Sequence, residues 1–319
     1  MENISYAGIQ KKSSAKRIWD TNKYPLLFLA PWIIGLLVFT LYPIFSSLYL
    51  SFTNYRLEPN PDFVGFRNYI MLFNDSRFIQ SIRVTVTYVF LGVPLQLIFA
   101  LCLALVLNRG IPGLKYFRTA FYLPALLGAS VAVAVLWRQV FGIEGIFNDL
   151  LALLRVPESV TSISWITNPN YSIYTLILLR AWQFGSPMII FLAGLKQIPT
   201  ELYEAASIDG GGPVRNFFKI TMPMLSPVVL FNLLMQMISA FQSFTPAFII
   251  SGGGGAGGGG GVGGALDSML MYSLYLFHLG FTLLRMGLAS AMAWIMMIAI
   301  AVITFIIFKL SKPFVFYGE

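Results

Sequence analysis

The chain has 319 residues, of which 57% are hydrophobic and 11% charged, with a mean hydropathy of +0.75. A soluble chain of this size carries about 25% charged residues, more than twice what is available here to solvate a surface. The apolar residues also fall in long uninterrupted blocks, which excludes a cytosolic globular enzyme, a disordered chain and a disulfide-stapled secreted domain. The expected fold class is an all-α polytopic membrane protein. A formal net charge of +8 would point to nucleic acid in a soluble protein, but here its placement matters more than its sum, and no nucleic-acid partner is expected. Cys102 lies inside an apolar block and reads as a small buried hydrophobe. His278, the sole histidine, lies near a membrane boundary without partners that would make it a metal ligand.

A spanning helix needs about 20 mostly apolar residues. No charge occurs between Lys23 and Arg56, so a first span is predicted near 26–50, with Pro43 in its outer half. It is too long for a cleaved signal peptide and lacks a small-x-small site. A second span is predicted from Val84 to Asn108, and a third begins over Thr119 to Trp137. The fourth, near 173–195, contains Arg180. The fifth runs near 226–250 and the sixth near 287–308, giving six. The outside segments 51–83 and 142–172 accommodate short interfacial helices such as Ile146–Leu154, but no separate domain.

Basic residues set the orientation. With the N-terminus cytoplasmic, the inside segments hold Lys11, Lys12, Lys16, Arg17, Lys23, Arg109, Lys115, Arg118, Lys196, Arg215, Lys219, Lys309 and Lys312, or 13 of the 21 basic residues, against six acids. Both termini are therefore expected on the cytoplasmic side. The chain divides into a basic tail (1–24), a transmembrane domain (25–312) and a C-terminal tail (313–319). Within the domain lie a cytoplasmic loop (196–225) and a Gly-rich outside segment (251–265).

The cytoplasmic loop carries the clearest pattern. Pro199 suits a first helical turn, and Glu201 complements the helix dipole. Glu204, Ala205 and Ala206 continue a helix whose small side chains permit close approach of another protein. Gly210 to Gly212 end it, and Pro213 opens a further short helix. Pro223 and Pro227 mark the return to the membrane.

Glu204-Ala205-Ala206, then Gly210, then Ile220, Met222 and Pro223 at their spacings resemble the signature loop of bacterial ABC-importer permeases, Glu-Ala-Ala-x3-Gly-x9-Ile-x-Leu-Pro. Met222 in place of Leu is the one departure. The stretches Phe63-Val64-Gly65-Phe66-Arg67-Asn68-Tyr69 and Phe191-Leu192-Ala193-Gly194-Leu195 resemble carbohydrate-type members, of the maltose, glycerol-phosphate and multi-sugar kind. The resemblance covers roughly residues 25–312.

It implies a permease subunit that forms half of a translocation pathway in the bacterial cytoplasmic membrane. The implied partners are a second homologous permease, two ATP-binding subunits, an extracytoplasmic solute-binding protein, a sugar substrate and membrane lipid. Glu204, Ala205, Ala206, Asp209, Gly210, Ile220 and Pro223 would then couple the chain to the ATPase subunits. The sequence lacks Gly-x4-Gly-Lys-Ser/Thr and so has no phosphate cradle of its own. No cofactor is expected in this chain, ATP and Mg being held by the partner ATPase subunits. Gly252–Gly264 has eleven glycines in thirteen positions but no Lys or Ser/Thr end, and reads as an outside linker without chemistry.

Asn232, Gln236, Ser239 and Ser243 recur at steps of four, three and four, forming one polar stripe on span five. Span two offers a weaker stripe in Thr85, Tyr88, Gly92 and Gln96. Polar groups facing lipid are costly, so these faces are expected to meet a cavity or a partner. Arg180, Trp182, Gln183, Gln236, Ser239 and Ser243 are the candidate substrate contacts, because sugars offer hydroxyls and flat apolar faces to amides and aromatic rings. Packing between helices would explain the same polar residues. The competing functions are an ABC permease for a non-sugar solute such as glycerol phosphate, and a stand-alone secondary transporter or channel, which would need no coupling loop. An intramembrane enzyme would need paired carboxylates, a Ser/His pair or a metal-binding helix in the spans, and the sequence has none.

Overall fold

A computed structural model describes residues 14–57, 61–109, 113–128, 130–252 and 262–315. Among them the chain is helical throughout its spans, as backbone groups in hydrocarbon require. The first span begins as α1 (Ser14–Leu36), so helix starts inside the segment read as a tail. It continues through a π-helical turn at Leu37–Leu41 into α2 (Tyr42–Ser51). Pro43 explains the turn: it has no N–H and its ring crowds the preceding carbonyls, so the helix widens just before it. The short α3 (Arg67–Phe73) follows, then α4 (Ser76–Asn108). Asp75 caps α4 by accepting from the Arg77 amide at 2.9 Å.

The third span departs from expectation. α5 (Leu114–Leu127) and α6 (Val131–Val140) meet at 93° instead of forming one helix. Ser130 is extended and caps α6 by accepting from the Val133 amide. After α7 (Ile146–Leu153), expected from the sequence, and α8 (Glu158–Thr161), the fourth span is also a broken pair. α9 (Ser172–Trp182) and α10 (Gly185–Leu195) bend by 40° at Gln183. α11 (Thr200–Ile208) and α12 (Pro213–Asn216) fill the loop, and a second π-helical turn, Phe217–Thr221, precedes Pro223.

α13 (Met222–Phe241) stops nine residues short of the predicted end at 250, and α14 (Thr245–Ile250) resumes after a gap. Pro246 lies in the first turn of α14, where its missing N–H costs no helical bond, and Phe244 just ahead of the helix is non-helical. α15 (Tyr272–Phe277), a third π-helical turn and α16 (Met286–Ser311) complete the described chain. Four helical runs are long and apolar enough to cross a membrane, and counting each bent pair as one span gives six.

α4 is the central post. Val89, Val93, Gln96, Ala100, Ala104 and Leu107 recur at steps of three and four and are buried. They face Leu179 of α9, Met188 and Phe191 of α10, and Leu225 and Ala240 of α13 in one core. Small residues on α4 permit close packing where association rests on contact and not on water exclusion. The first span differs. Leu27, Phe28, Trp32 and Phe39 are 66–82% exposed, and only its end is held.

That end is stitched by Asn68, whose Nδ2 donates to Ser51 O and Thr53 O, each at 2.8 Å. The Gly287 amide of α16 donates to Tyr55 O at 3.0 Å. A Cβ on Gly287 would lie 2.2 Å from Thr53 O, a backbone atom with nowhere to go. Gly287→Ala is therefore expected to push α16 off this junction at about 1–3 kcal/mol. A lower thermal midpoint in detergent would register it, and an unchanged midpoint would contradict the packing described.

Candidate transport site and coupling loop

Among the described residues, three interruptions of helix fall inside apolar blocks of the sequence, and each frees backbone carbonyls that hydrocarbon would not satisfy. In each case a side chain from another element supplies a donor. Gln183, at the α9–α10 bend, donates from Nε2 to Gly128 O at the α5–α6 break, 2.8 Å. Gln96 of α4 donates to Gln183 O, 2.7 Å. Ser273 of α15 donates from Oγ to Ser243 O in the α13–α14 gap. The breaks are thus cross-bonded into one polar layer.

Arg180 sits in this layer, 6% exposed. Its stem passes Gly92 of α4, where a Cβ would meet Cγ at 3.5 Å. Nη2 donates to Gln236 O (2.8 Å) and Gln236 Oε1 (2.9 Å), and Nη1 makes a long contact to Ser239 Oγ (3.4 Å). Nε is buried without a partner among the described residues.

A cavity of about 500 Å³ opens beside the guanidinium. Its wall comprises Tyr88, Arg180, Gln183, Ser239, Gln242, Ser243 and Thr245 with the apolar Met235, Ile238, Phe244 and Pro246.

Of the six sequence-derived candidates, the structure brings Arg180, Gln183, Ser239 and Ser243 to this cavity, with Gln236 behind Arg180. Trp182 points elsewhere. It packs on Trp137 with centroids 6.0 Å apart, and the Trp137 indole donates to Thr175 O. The polar stripe also divides. Asn232 is buried and donates to Pro187 O at 3.4 Å, a packing role, whereas Ser243 lies past the end of α13 and not on its face. Of the span-two residues, Thr85 accepts from the Tyr272 amide and Gln96 serves the bend. Sequence reasoning missed Gln242, Thr245 and Pro246. The run Gln242-Ser243-Phe244-Thr245-Pro246, polar residues ahead of a proline inside an apolar block, held the signal.

At the other end of α13 the loop folds as a rigid unit. α11 has no buried residue. Pro199 immediately precedes it and is not in its first turn. Gly211 N donates to Ala206 O (2.7 Å) and Gly210 N to Ser207 O (3.2 Å), with Gly210 at φ +72°. This is the Schellman arrangement that ends a helix on a left-handed residue. Asp209 caps the helix, its amide donating to Ala205 O.

The Tyr203 and Thr221 hydroxyls bond at 2.9 Å, tying α11 to the π-helical turn that leads into α13. Ile220 packs against the core from that turn, and Pro223 opens α13. Glu204, Ala205 and Asp209 face outward, as does Ile208 at 87% exposure.

At the end of the chain opposite this loop, Arg77 grips Asp267 through Nε (2.8 Å) and Nη2 (2.7 Å), and also donates to Val262 O (2.9 Å). The Tyr275 hydroxyl donates to Asp75 beside it. Burial, and next the Arg77 charge, hold His278 below the ordinary histidine range. Among the described residues no group of His, Cys, Asp and Glu is placed to hold a metal ion. Residues 253–261 of the Gly-rich segment, read as a linker, lie outside the described residues.

Comparisons with known proteins agree with this arrangement. The chain is 48% identical over 311 residues to the probable ABC transporter permease protein YesP of Bacillus subtilis, covering 97% of each chain. It is 35% identical to the lactose transport system permease protein LacF of Rhizobium radiobacter, over 94% of this chain and 97% of that protein. In fold it resembles a chain of the bacterial alginate ABC transporter crystallised with alginate pentasaccharide-bound periplasmic protein. The TM-score is 0.77 at 21% identity, covering 95% of this chain and 100% of that one. Residues 69–317 match the binding-protein-dependent transport system inner membrane components, and the chain belongs to that family of ABC transporter permeases.

Proposed function

We propose that this chain is the permease subunit of an ATP-driven importer for a sugar or oligosaccharide and forms half of the translocation pathway. The observation that carries the reading is α11, solvent-facing apart from the half-buried Tyr203 and Ala206, joined through Tyr203–Thr221 to the turn that leads into α13, the helix whose far end lines the cavity. A push on α11 is transmitted along α13 to the α13–α14 gap, which makes the loop a lever and the gap the part that moves. The substrate class draws on the relatives, one of which is a lactose permease, and on a cavity lined by amides, hydroxyls and aromatic surface. A glycerol-phosphate-type solute is the alternative within the family.

On this reading α11 docks on one of two ATP-binding subunits, which hold ATP and Mg, while a second permease completes the pathway. The uncovered first span offers apolar surface to that second permease and to lipid. An extracytoplasmic solute-binding protein delivers the substrate. Residues 25–312 form the transmembrane domain in the bacterial cytoplasmic membrane, with 196–225 and both tails inside and 251–265 outside, as the basic residues indicate.

A fluorescent protein that folds only in the cytoplasm, fused after Glu319, should therefore fluoresce, and a phosphatase active only outside should be silent there. The reverse pattern would overturn the orientation.

Coupling is tested at Gly210. No atom lies within 4 Å of a Cβ built there, so substitution acts through the backbone alone. Left-handed geometry costs an L-residue about 1–2 kcal/mol, least for Asn. Gly210→Val should cut ATP-driven uptake about tenfold while the protein still inserts, and Gly210→Asn should largely retain it. Glu204→Lys should uncouple hydrolysis from uptake. Normal uptake in both Gly210→Val and Glu204→Lys would sink the assignment of α11 as the coupling element.

A further inference from the structure

Among the described residues, no carboxylate pairs with Arg180. None of the 13 acidic residues falls within any of the six spans, and no Asp or Glu lines the cavity. A guanidinium remains charged at any physiological pH, and a cation at membrane depth pairs with an opposite charge or backbone carbonyls, or faces a cavity, and often marks a substrate path. What the structure supplies is neutral: the carbonyl and amide oxygens of Gln236, the Ser239 hydroxyl and the Tyr88 hydroxyl. The Gln236 oxygens orient the guanidinium by fastening Nη2, and leave Nη1 with only a long contact to Ser239, on a residue 94% buried that lines the cavity. The Nη1 side is the part left for a ligand.

The Nη1 side, toward Ser239, suits a carboxylate oxygen, which accepts a charge-assisted bond from a guanidinium N–H. Around it, Gln183, Gln242, Ser243 and Thr245 offer donors and acceptors for hydroxyls, and Phe244 offers a flat apolar surface. An anion with hydroxyl-bearing rings matches both parts of the wall.

We propose that the substrate is an acidic saccharide, a sugar carrying a uronate-type carboxylate, and that Arg180 is its charge-selecting contact. This rests on the sugar-importer reading and narrows it. Arg180 would act twice: it selects the anion at the cavity, and the arriving carboxylate supplies the opposite charge that the wall residues do not. A neutral sugar can do only the hydroxyl part.

The test uses the complete transporter, with its partner permease, ATPases and binding protein, in lipid vesicles. Uptake of a uronate-containing disaccharide is compared with that of the same disaccharide after reduction of its carboxyl to a primary alcohol. Wild type should prefer the acid by about tenfold or more, as expected for a charge-assisted pair. Arg180→Gln should abolish the preference while retaining uptake of the reduced sugar, and Arg180→Lys should restore part of it.

If wild type imports the reduced sugar as well as the acid, the acidic assignment fails and the sugar reading stands. If neither sugar enters but glycerol phosphate does, the sugar reading itself fails. Equal loss of both sugars in Arg180→Gln, with the complex intact, would make Arg180 a structural cross-link and overturn the proposal. Release of the second permease by Arg180→Gln would make the counter-charge a subunit contact, with the same consequence.

Discussion

Hydrocarbon offers no hydrogen bonds, so every break in a spanning helix and every buried charge must be satisfied by the protein itself. The middle of this molecule is organised by that constraint. Three helix interruptions leave carbonyls at Gly128, Gln183 and Ser243, and Gln183, Gln96 and Ser273 donate to them in turn. Arg180 is held in the same layer by Gln236. Because each donor comes from a different element, the breaks fix the relative positions of α4, α6, α9, α10, α13 and α15. Loss of one bond would strand a buried polar group at about 1–3 kcal/mol.

The same breaks give the fold a capacity to move that continuous helices would lack. A packed helix transmits displacement as a rigid body, whereas an interruption bonded by side chains has alternative arrangements close in energy. α13 runs from the α11 loop to the cavity without interruption after Pro223, and its far end is where regular structure stops. On the proposed coupling, α13 would act as the lever and the α13–α14 gap as the part that yields. At the opposite end of the chain, the Arg77–Asp267 pair and the Asp75–Tyr275 bond fasten the return from the Gly-rich segment to the start of α4, which keeps that end of the bundle fixed.

The spans were legible because twenty-residue apolar blocks admit few readings, and the signature loop because its spacing from Glu204 to Pro223 is long and directional. The interfacial helix at Ile146 was legible from the length of the outside segment 142–172. The bends were not. The third span was read as continuous because Pro124 and Gly128 sit in an apolar block whose composition alone does not indicate a turn, and helix is the default in lipid. The end of α13 was overrun for the same reason, although Thr245 before Pro246 marked it. Trp182 was grouped with Arg180 and Gln183 by sequence adjacency, but a helix turns about 100° per residue and its indole packs on Trp137. The role of Ser273 depends on a partner thirty residues away, which no local pattern reveals.

The central claim is that the cavity beside Arg180 lies on a pathway whose access alternates when the loop at α11 is driven by ATP. The most direct measurement places a cysteine at Ser239, on a chain in which Cys102 is replaced by serine, and follows its labelling by a membrane-impermeant maleimide from each side of the assembled transporter. The account predicts labelling from one side in the nucleotide-free complex and from the other in the ATP-trapped complex. Labelling that stays on one side in both states would contradict it.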